Sequence, residues 1–259
     1  MSTIISSSRT NRKRLFLAYV SLVLLLSLFP AGAAAAESHR QEGKDPFFQA
    51  RRTMVERDLR GRGIKDERVL AAMGSIPRHL FVPERLRSSA YEDRALPIGE
   101  GQTISQPYIV AVMTELLELK GGEKVLEVGT GSGYQAAVLA RVASEVFSIE
   151  ILPKLSARAG TVLEQIGFTN IQLKVGDGFF GWEEKGPFDA IVVTASAPKV
   201  PEPLWRQLRE GGRLIMPLGE ENQTQRLVRI RKLAGKPLTE DFTAVLFVPL
   251  TGAIRKEGR

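Results

Sequence analysis

The run Val125-Leu126-Glu127-Val128-Gly129-Thr130-Gly131-Ser132-Gly133-Tyr134 constrains this chain more than any other segment. A short apolar stretch carrying one acid ends in three glycines on alternate positions. An Ala/Leu-rich helical pattern from Gln135 to Arg141 follows at once. Strand, glycine turn and helix make up the nucleotide-binding half of a doubly wound α/β sheet. Glycine serves there because the turn needs positive φ and because a ligand must approach bare backbone.

The spacing separates two ligand classes. A dinucleotide fingerprint reads G-x-G-x-x-G and aims a helix N-terminus at a pyrophosphate. Here the pattern is G-x-G-x-G, and Tyr134 stands where the third dinucleotide glycine would fall. Glu150 closes the next strand, Glu145 to Glu150, 17 positions after Gly133. An acid at that place can accept from ribose hydroxyls. A glycine turn with a ribose acid, lacking the pyrophosphate glycine, fits S-adenosylmethionine better than a nicotinamide dinucleotide. The residues expected to hold this cofactor are Glu127, Gly129, Thr130, Gly131, Gly133, Glu150, Asp177 and Gly178. Asp177 lies between two glycines after the third strand, where it can accept from an adenine amino group or simply close an Asp-Gly turn. Glu127 is an acid inside an apolar strand, which costs free energy unless it is partnered, by ligand or by a Lys or Arg.

Composition bounds the rest. Arg9, Arg12, Lys13 and Arg14 precede a continuous apolar run of 15 residues, Leu15 to Phe29. Ala33-Ala34-Ala35-Ala36 then offers a small-residue cleavage site before Glu37. Residues 1–36 therefore read as a secretory signal peptide, and the expected location is periplasmic. The run falls short of the ~20 residues a spanning helix needs; a membrane anchor over residues 15–29 is the alternative. Setting the segment aside leaves 223 residues and lowers the formal net charge from +7 to about +3, since it carries four basic and no acidic groups. That charge is too mild to argue for nucleic acid, and the expected form is a monomer. No cysteine occurs, which excludes disulfides, thiolate nucleophiles and cysteine-held metal centres, and no metal site is expected.

Residues 37–120 are expected to form an N-terminal helical and substrate-cap region, and residues 121–259 the core of one continuous catalytic domain over 37–259. A polar lead-in spans residues 37–50. Helical character runs from Arg52 to Met73 with a break around Gly61-Arg62-Gly63. Pro77, Pro83 and Pro97 punctuate an irregular stretch, Ile76 to Gln102, of the kind that caps a site. Pro107 to Leu119 presents a broad apolar helical face. Strands are then expected at Lys124–Val128, Glu145–Glu150, Ile171–Val175, Ala190–Thr194 and Arg213–Pro217. Helices are expected at Tyr134–Arg141, Pro153–Ile166 and Glu202–Glu210. This alternation predicts a mostly parallel, doubly wound sheet. Two further strands, Arg226–Arg231 and Thr243–Leu250, should close it as an antiparallel pair around Gly235-Lys236-Pro237. Ligands bind beyond the carboxyl ends of such strands, which gathers Gly129, Gly131, Glu150, Asp177 and Thr194 around one crevice.

Subtraction narrows the chemistry. Thr194-Ala195-Ser196-Ala197 stands where base-amine methyltransferases carry an Asp- or Asn-Pro-Pro-aromatic motif. Methylation of pyrimidine carbon-5 needs a cysteine the chain lacks, and neither a G-x-S-x-G elbow nor a P-loop is present. An oxygen acceptor or a small molecule remains. In Gly101-Gln102-Thr103-Ile104-Ser105-Gln106-Pro107, Ser105 can cap the helix that Pro107 opens. A hydroxyl and free N–H groups at that helix N-terminus could equally cradle a carboxylate.

At these residues the chain resembles the protein-L-isoaspartate (D-aspartate) O-methyltransferase family. The resemblance rests on Ala95-Leu96-Pro97-Ile98-Gly99, Gly101 to Pro107, Val125 to Tyr134, Gly176-Asp177-Gly178, Phe188 to Thr194, Gly211 to Gly219 and Phe247-Val248-Pro249-Leu250. It runs from about Met54 to Leu250. It implies a Rossmann-like S-adenosylmethionine-dependent methyltransferase that esterifies the free α-carboxylate of isoaspartyl residues in damaged proteins and peptides. The ester then collapses to a succinimide that can reopen as normal aspartate. Ser105 corresponds to the family's active-site serine, and with Thr103 is expected to orient the substrate carboxylate. The acceptor is already ionised at neutral pH, so no general base is required and His79 is expected to be structural. Such enzymes usually reside in the cytoplasm, where the cofactor is made, so an export signal departs from the family pattern and cytoplasmic residence is the alternative. Two further alternatives stand: a catalytically silent exported binding protein, and an NAD-dependent oxidoreductase.

Overall fold

The computed structural model describes residues 45–221 and 223–257. The chain divides into two units, Met1–Phe48 and Gln49–Arg259, and the sheets and the cleft belong to the second. The expected signal peptide, 1–36, and the lead-in up to residue 44 lie outside the described residues.

The helical stretch that Gly61-Arg62-Gly63 interrupts is a π-helical turn, Met54–Leu59, followed by a tight turn over Arg60–Arg62. Gly63 takes the left-handed conformation and frees the chain to restart as α1 (Glu67–Ser75), capped by Asp66 through the Arg68 N–H. The proline-rich stretch is more ordered than its sequence suggests. Pro77 and Pro83 each precede a 3-10 turn, Arg78–Phe81 and Glu84–Ser89. A small antiparallel hairpin follows, β1 (Leu96–Gly99) and β2 (Gln102–Ile104). Its strands are too short for an alternating signal, so irregularity was the natural reading. Helix α2 (Pro107–Leu116) comes next, with Pro107 in its first turn.

The core alternates β3 (Lys124–Val128), α3 (Tyr134–Val142), β4 (Glu145–Glu150), α4 (Pro153–Ile166), β5 (Ile171–Val175), β6 (Phe188–Val193), α5 (Glu202–Gln207) and β7 (Leu208–Leu218). Two antiparallel strands, β8 (Gln225–Leu233) and β9 (Lys236–Val245), complete a seven-stranded sheet ordered β5-β4-β3-β6-β7-β8-β9. The winding reverses at β3, which has β4 on one side and β6 on the other. A crevice opens at the carboxyl ends of those strands because the connections leave in opposite directions.

Pleating sorts the side chains. Leu126 and Val128 of β3, Phe147 and Ile149 of β4, Ile191 and Val193 of β6, and Leu214 and Met216 of β7 all fall on one buried face. Glu127 points to the other, opposite Ser148 of β4 and Val192 of β6 in register. Each such buried aliphatic contributes ~1.5–3 kcal/mol relative to exposure.

Two regions depart most from expectation. Helix α5 stops at Gln207 rather than Glu210, and β7 starts at once at Leu208 rather than Arg213. The Gln207 side chain is committed elsewhere, accepting from Trp182 N at 2.8 Å and donating to Phe180 O at 2.8 Å, while Leu208 pairs with Phe188. The last strand is Lys236–Val245, not Thr243–Leu250. Ala234 and Gly235, both at positive φ, make a two-residue hairpin turn, so pairing resumes at Lys236. Strand β9 is an edge whose side chains are mostly exposed, so it carries no apolar alternation. The apolar Val248–Leu250 segment instead crosses beside Ser196, which donates its N–H to Val248 O and accepts from Leu250 N.

Candidate active site

The glycine loop is built from backbone. The N–H groups of Gly129 and Thr130 reach Ile149 O at 2.8 and 3.2 Å, and Gly133 N closes on Thr130 O at 2.8 Å. Gly129 has φ +99°, and a Cβ there would lie 2.4 Å from Thr194 Oγ1, whose hydroxyl donates to Gly129 O. Only glycine fits such a position. Glu150 locks the loop from the neighbouring strand: its Oε2 accepts from Gly131 N at 2.7 Å and its Oε1 from Leu152 N at 3.0 Å.

One cleft gathers the loop with the hairpin and the C-terminal segment. It is lined by Thr103, Ser105, Gly129, Thr130, Gly131, Glu150 and Gly178, all singled out in the sequence, together with Thr194. Neither the Thr103 nor the Ser105 hydroxyl is engaged by another described residue. The opposite wall, Val248 to Thr251, falls in a segment that carries the resemblance but that the sequence places in a strand up to Leu250. Glu100, Ile151 and Leu152 also line it, with no signal in the sequence, as does Gln102 of the Gly101 to Pro107 block. Among the described residues, the formal charges on the lining are the carboxylates of Glu100 and Glu150, and no Lys, Arg or His lines it.

Three expected cofactor residues do not line the cleft. Gly133 opens α3 in the left-handed conformation, and a Cβ there would press on Ala159 at 3.1 Å, so its role is helix-to-helix packing. Asp177 turns to the chain's C-terminal segment: Oδ1 accepts from Phe179 N at 3.0 Å and Oδ2 from Ala253 N at 2.7 Å. Glu127 lies beneath the loop, fully buried. It accepts from Ser148 Oγ, which also shares a hydrogen bond with Thr130 Oγ1. Among the described residues no Lys or Arg reaches it, and its Oε1 is buried without a hydrogen-bond partner. Burial pushes its pKa up to about 8, the Ser148 hydrogen bond opposes this, and the nearby Glu150 charge adds to it.

The helix-cradle expectation for α2 is corrected. Gln106, not Ser105, is the residue before the first turn. Pro107 has no N–H, and Tyr108 N already donates to Asp93 Oδ1 at 3.1 Å. Asp93 Oδ2 also accepts from Gln106 Nε2 at 2.7 Å and pairs with Arg62. The protein's own carboxylate occupies that helix end. His79 does not line the cleft; its Nδ1 lies 2.8 Å from Tyr91 Oη. Among the described residues no cluster of three His, Cys, Asp or Glu is placed to hold a metal ion.

A positive-φ glycine turn, an acid closing the adjacent strand and apolar walls from Ile149, Ile151 and Leu152 fit the sugar, adenine and amino-acid parts of S-adenosylmethionine. Fold and cleft together define a Rossmann-like S-adenosylmethionine-dependent methyltransferase. A model of the protein-L-isoaspartate(D-aspartate) O-methyltransferase (PCMT) family matches residues 49–255, and the chain belongs to that family. Protein-L-isoaspartate O-methyltransferase 2 of Shewanella sediminis is 52% identical over 245 residues, 95% of this chain and 98% of the relative. The protein-L-isoaspartate O-methyltransferase of Methanoculleus marisnigri is 55% identical over 214 residues, 83% of this chain and 97% of the relative. A solved protein-L-isoaspartate O-methyltransferase superposes with TM-score 0.72 at 32% identity, covering 79% of this chain and 67% of that one. A Plasmodium falciparum protein of this kind, in complex with S-adenosyl-L-homocysteine, superposes at 0.66 with 29% identity, covering 78% and 98%.

Proposed function

We propose that this protein transfers a methyl group from S-adenosylmethionine to the free α-carboxylate of L-isoaspartyl and D-aspartyl residues in damaged proteins and peptides. The product ester is set up to close to a succinimide, which starts repair. The observation that carries the reading is that the unengaged hydroxyls of Thr103 and Ser105 share one cleft with the glycine loop and Glu150. When bound, the cofactor supplies an activated methyl on a positively charged sulfur. The residues do the rest. Thr103 and Ser105 donate to the acceptor carboxylate and fix its orientation. That carboxylate is ionised at neutral pH, so no residue has to remove a proton. Glu150 and the bare loop backbone hold the donor, while Ile104, Val110, Tyr134 and Val248 to Leu250 keep water from the reacting atoms. Alignment of this kind supplies ~7–11 kcal/mol of barrier reduction.

The test supplies the purified protein with methyl-labelled cofactor and two peptides that differ only in Asp or isoAsp linkage. Base-labile label on the isoaspartyl peptide alone supports the reading. Equal labelling of both, or none with cofactor binding intact, overturns it.

The partner is a protein or peptide rather than nucleic acid, and the working form is a monomer; light scattering and competition by duplex or single-stranded DNA test both. Residues 9–36 support export. Mature protein beginning at Glu37 outside the cytoplasm is the expected result, and an intact Met1 in the cytoplasmic fraction would overturn it. Among the described residues no helix is long and apolar enough to cross a membrane.

A further inference from the structure

Arg78 heads the largest fully buried side chains, with no exposed surface. It opens the 3-10 turn after Pro77, and the reaction outlined above gives it no task. Its Nε donates to Ala90 O at 2.7 Å and its Nη2 to Ser105 O at 2.7 Å. Its guanidinium carbon stands 4.7 Å from the centroid of the Tyr134 ring, the first residue of α3 after the glycine loop. Its Nη1 and the Tyr134 hydroxyl are both buried. Burial pulls its pKa down to about 10, so it is still a cation at neutral pH.

The two carbonyls and the Tyr134 ring offset only part of the cost of burying a charge that forms no carboxylate pair among the described residues. What Arg78 does is join two parts of the cleft. One end holds the backbone of Ser105, on the acceptor side. Its guanidinium carbon stands over the ring of Tyr134, which lines the cleft at the first turn of α3. A planar fork can hold two carbonyls while stacking on a ring; a lysine ammonium cannot do all three.

We infer that Arg78 is a positioning residue that sets the Ser105 backbone against the first turn of α3, and so fixes the separation between acceptor and methyl donor. The inference rests on the reading of Ser105 as an acceptor-side residue. A misplacement of about 1 Å between reacting groups costs on the order of a hundredfold in rate. Removing the fork should therefore act on turnover more than on either binding step.

The experiment compares wild type with Arg78→Lys and Arg78→Met on the isoaspartyl peptide. Rates are normalised to the fraction that binds S-adenosylhomocysteine by calorimetry, so misfolded protein drops out. For Arg78→Lys, kcat should fall by about tenfold or more. The peptide KM and the S-adenosylhomocysteine Kd should stay within about threefold, and Arg78→Met should fall at least as far in kcat. If Arg78→Met does not fold, the Lys variant carries the comparison alone. Full kcat in Arg78→Lys with only a lowered melting temperature overturns the inference, because the role is then structural. Loss of S-adenosylhomocysteine binding in step with kcat also overturns it. Wild-type protein inactive on the isoaspartyl peptide refutes the functional reading and this inference with it. An active wild type with an unimpaired Arg78→Lys refutes the inference alone.

Discussion

Replacing Glu127 with Gln isolates the effect of a carboxyl group buried under the glycine loop. In the folded protein its pKa stands at about 8 against an ordinary 4.5, chiefly because burial disfavours the anion. Below about pH 4.5 the group is protonated in both states and contributes no pH dependence. Between there and about 8 the unfolded chain has released the proton while the folded chain retains it. The folded state then binds more protons, so stability falls as pH rises, by up to ~1.4 kcal/mol per pH unit. Crossing the whole window removes on the order of 5 kcal/mol. Glutamine cannot ionise, and its carbonyl can still accept from Ser148. Glu127→Gln should match wild type within about 1 kcal/mol near pH 4.5 and exceed it by several kcal/mol at pH 8.5. Urea unfolding at half-unit pH steps, with m-values compared, measures this directly. Parallel stability profiles for the two proteins over that range would refute a neutral Glu127.

Three further substitutions separate the roles assigned above. Ser105→Ala removes a hydroxyl with no partner in the fold, so its urea midpoint should barely move (within ~0.5 kcal/mol of stability). Turnover at saturating substrate should drop about ten- to a hundredfold, the worth of a hydrogen bond to a charged group at ~1.5–3 kcal/mol; full turnover would sink the role. Gly129→Ala forces a left-handed non-glycine residue, at ~1–2 kcal/mol, and a Cβ 2.4 Å from Thr194 Oγ1. Calorimetry should find S-adenosylhomocysteine binding weakened by about tenfold or more. Asp177→Asn takes one acceptor from the Phe179 and Ala253 amides, and should lower stability by ~1–3 kcal/mol with cofactor affinity little changed. A large affinity loss at unchanged stability would restore Asp177 to the adenine.

Much of the core was legible because its signals are local. β3, β4, β5 and α4 begin and end where the apolar runs and turn residues place them. Glu150 was identifiable because it ends a strand next to a glycine loop. The cap hairpin and β9 were not. Short strands and solvated edges carry no apolar alternation, so their pairing depends on turn geometry, here the consecutive positive φ values at Ala234 and Gly235.

The sequence by itself determined the doubly wound sheet, the glycine cradle and the pair of hydroxyls in Thr103-Ile104-Ser105. These follow from residue periodicity and from backbone conformations that only some residues tolerate. Only the tertiary structure decided which polar groups are free to act. Asp93 takes the end of α2, and backbone amides take Asp177. Glu127 lies buried against Ser148 by strand register, and Arg78 bridges Ser105 to Tyr134 across 56 positions of chain. A polar side chain's role depends on the partners it meets once buried, and partners distant in sequence become neighbours only when the sheet is assembled.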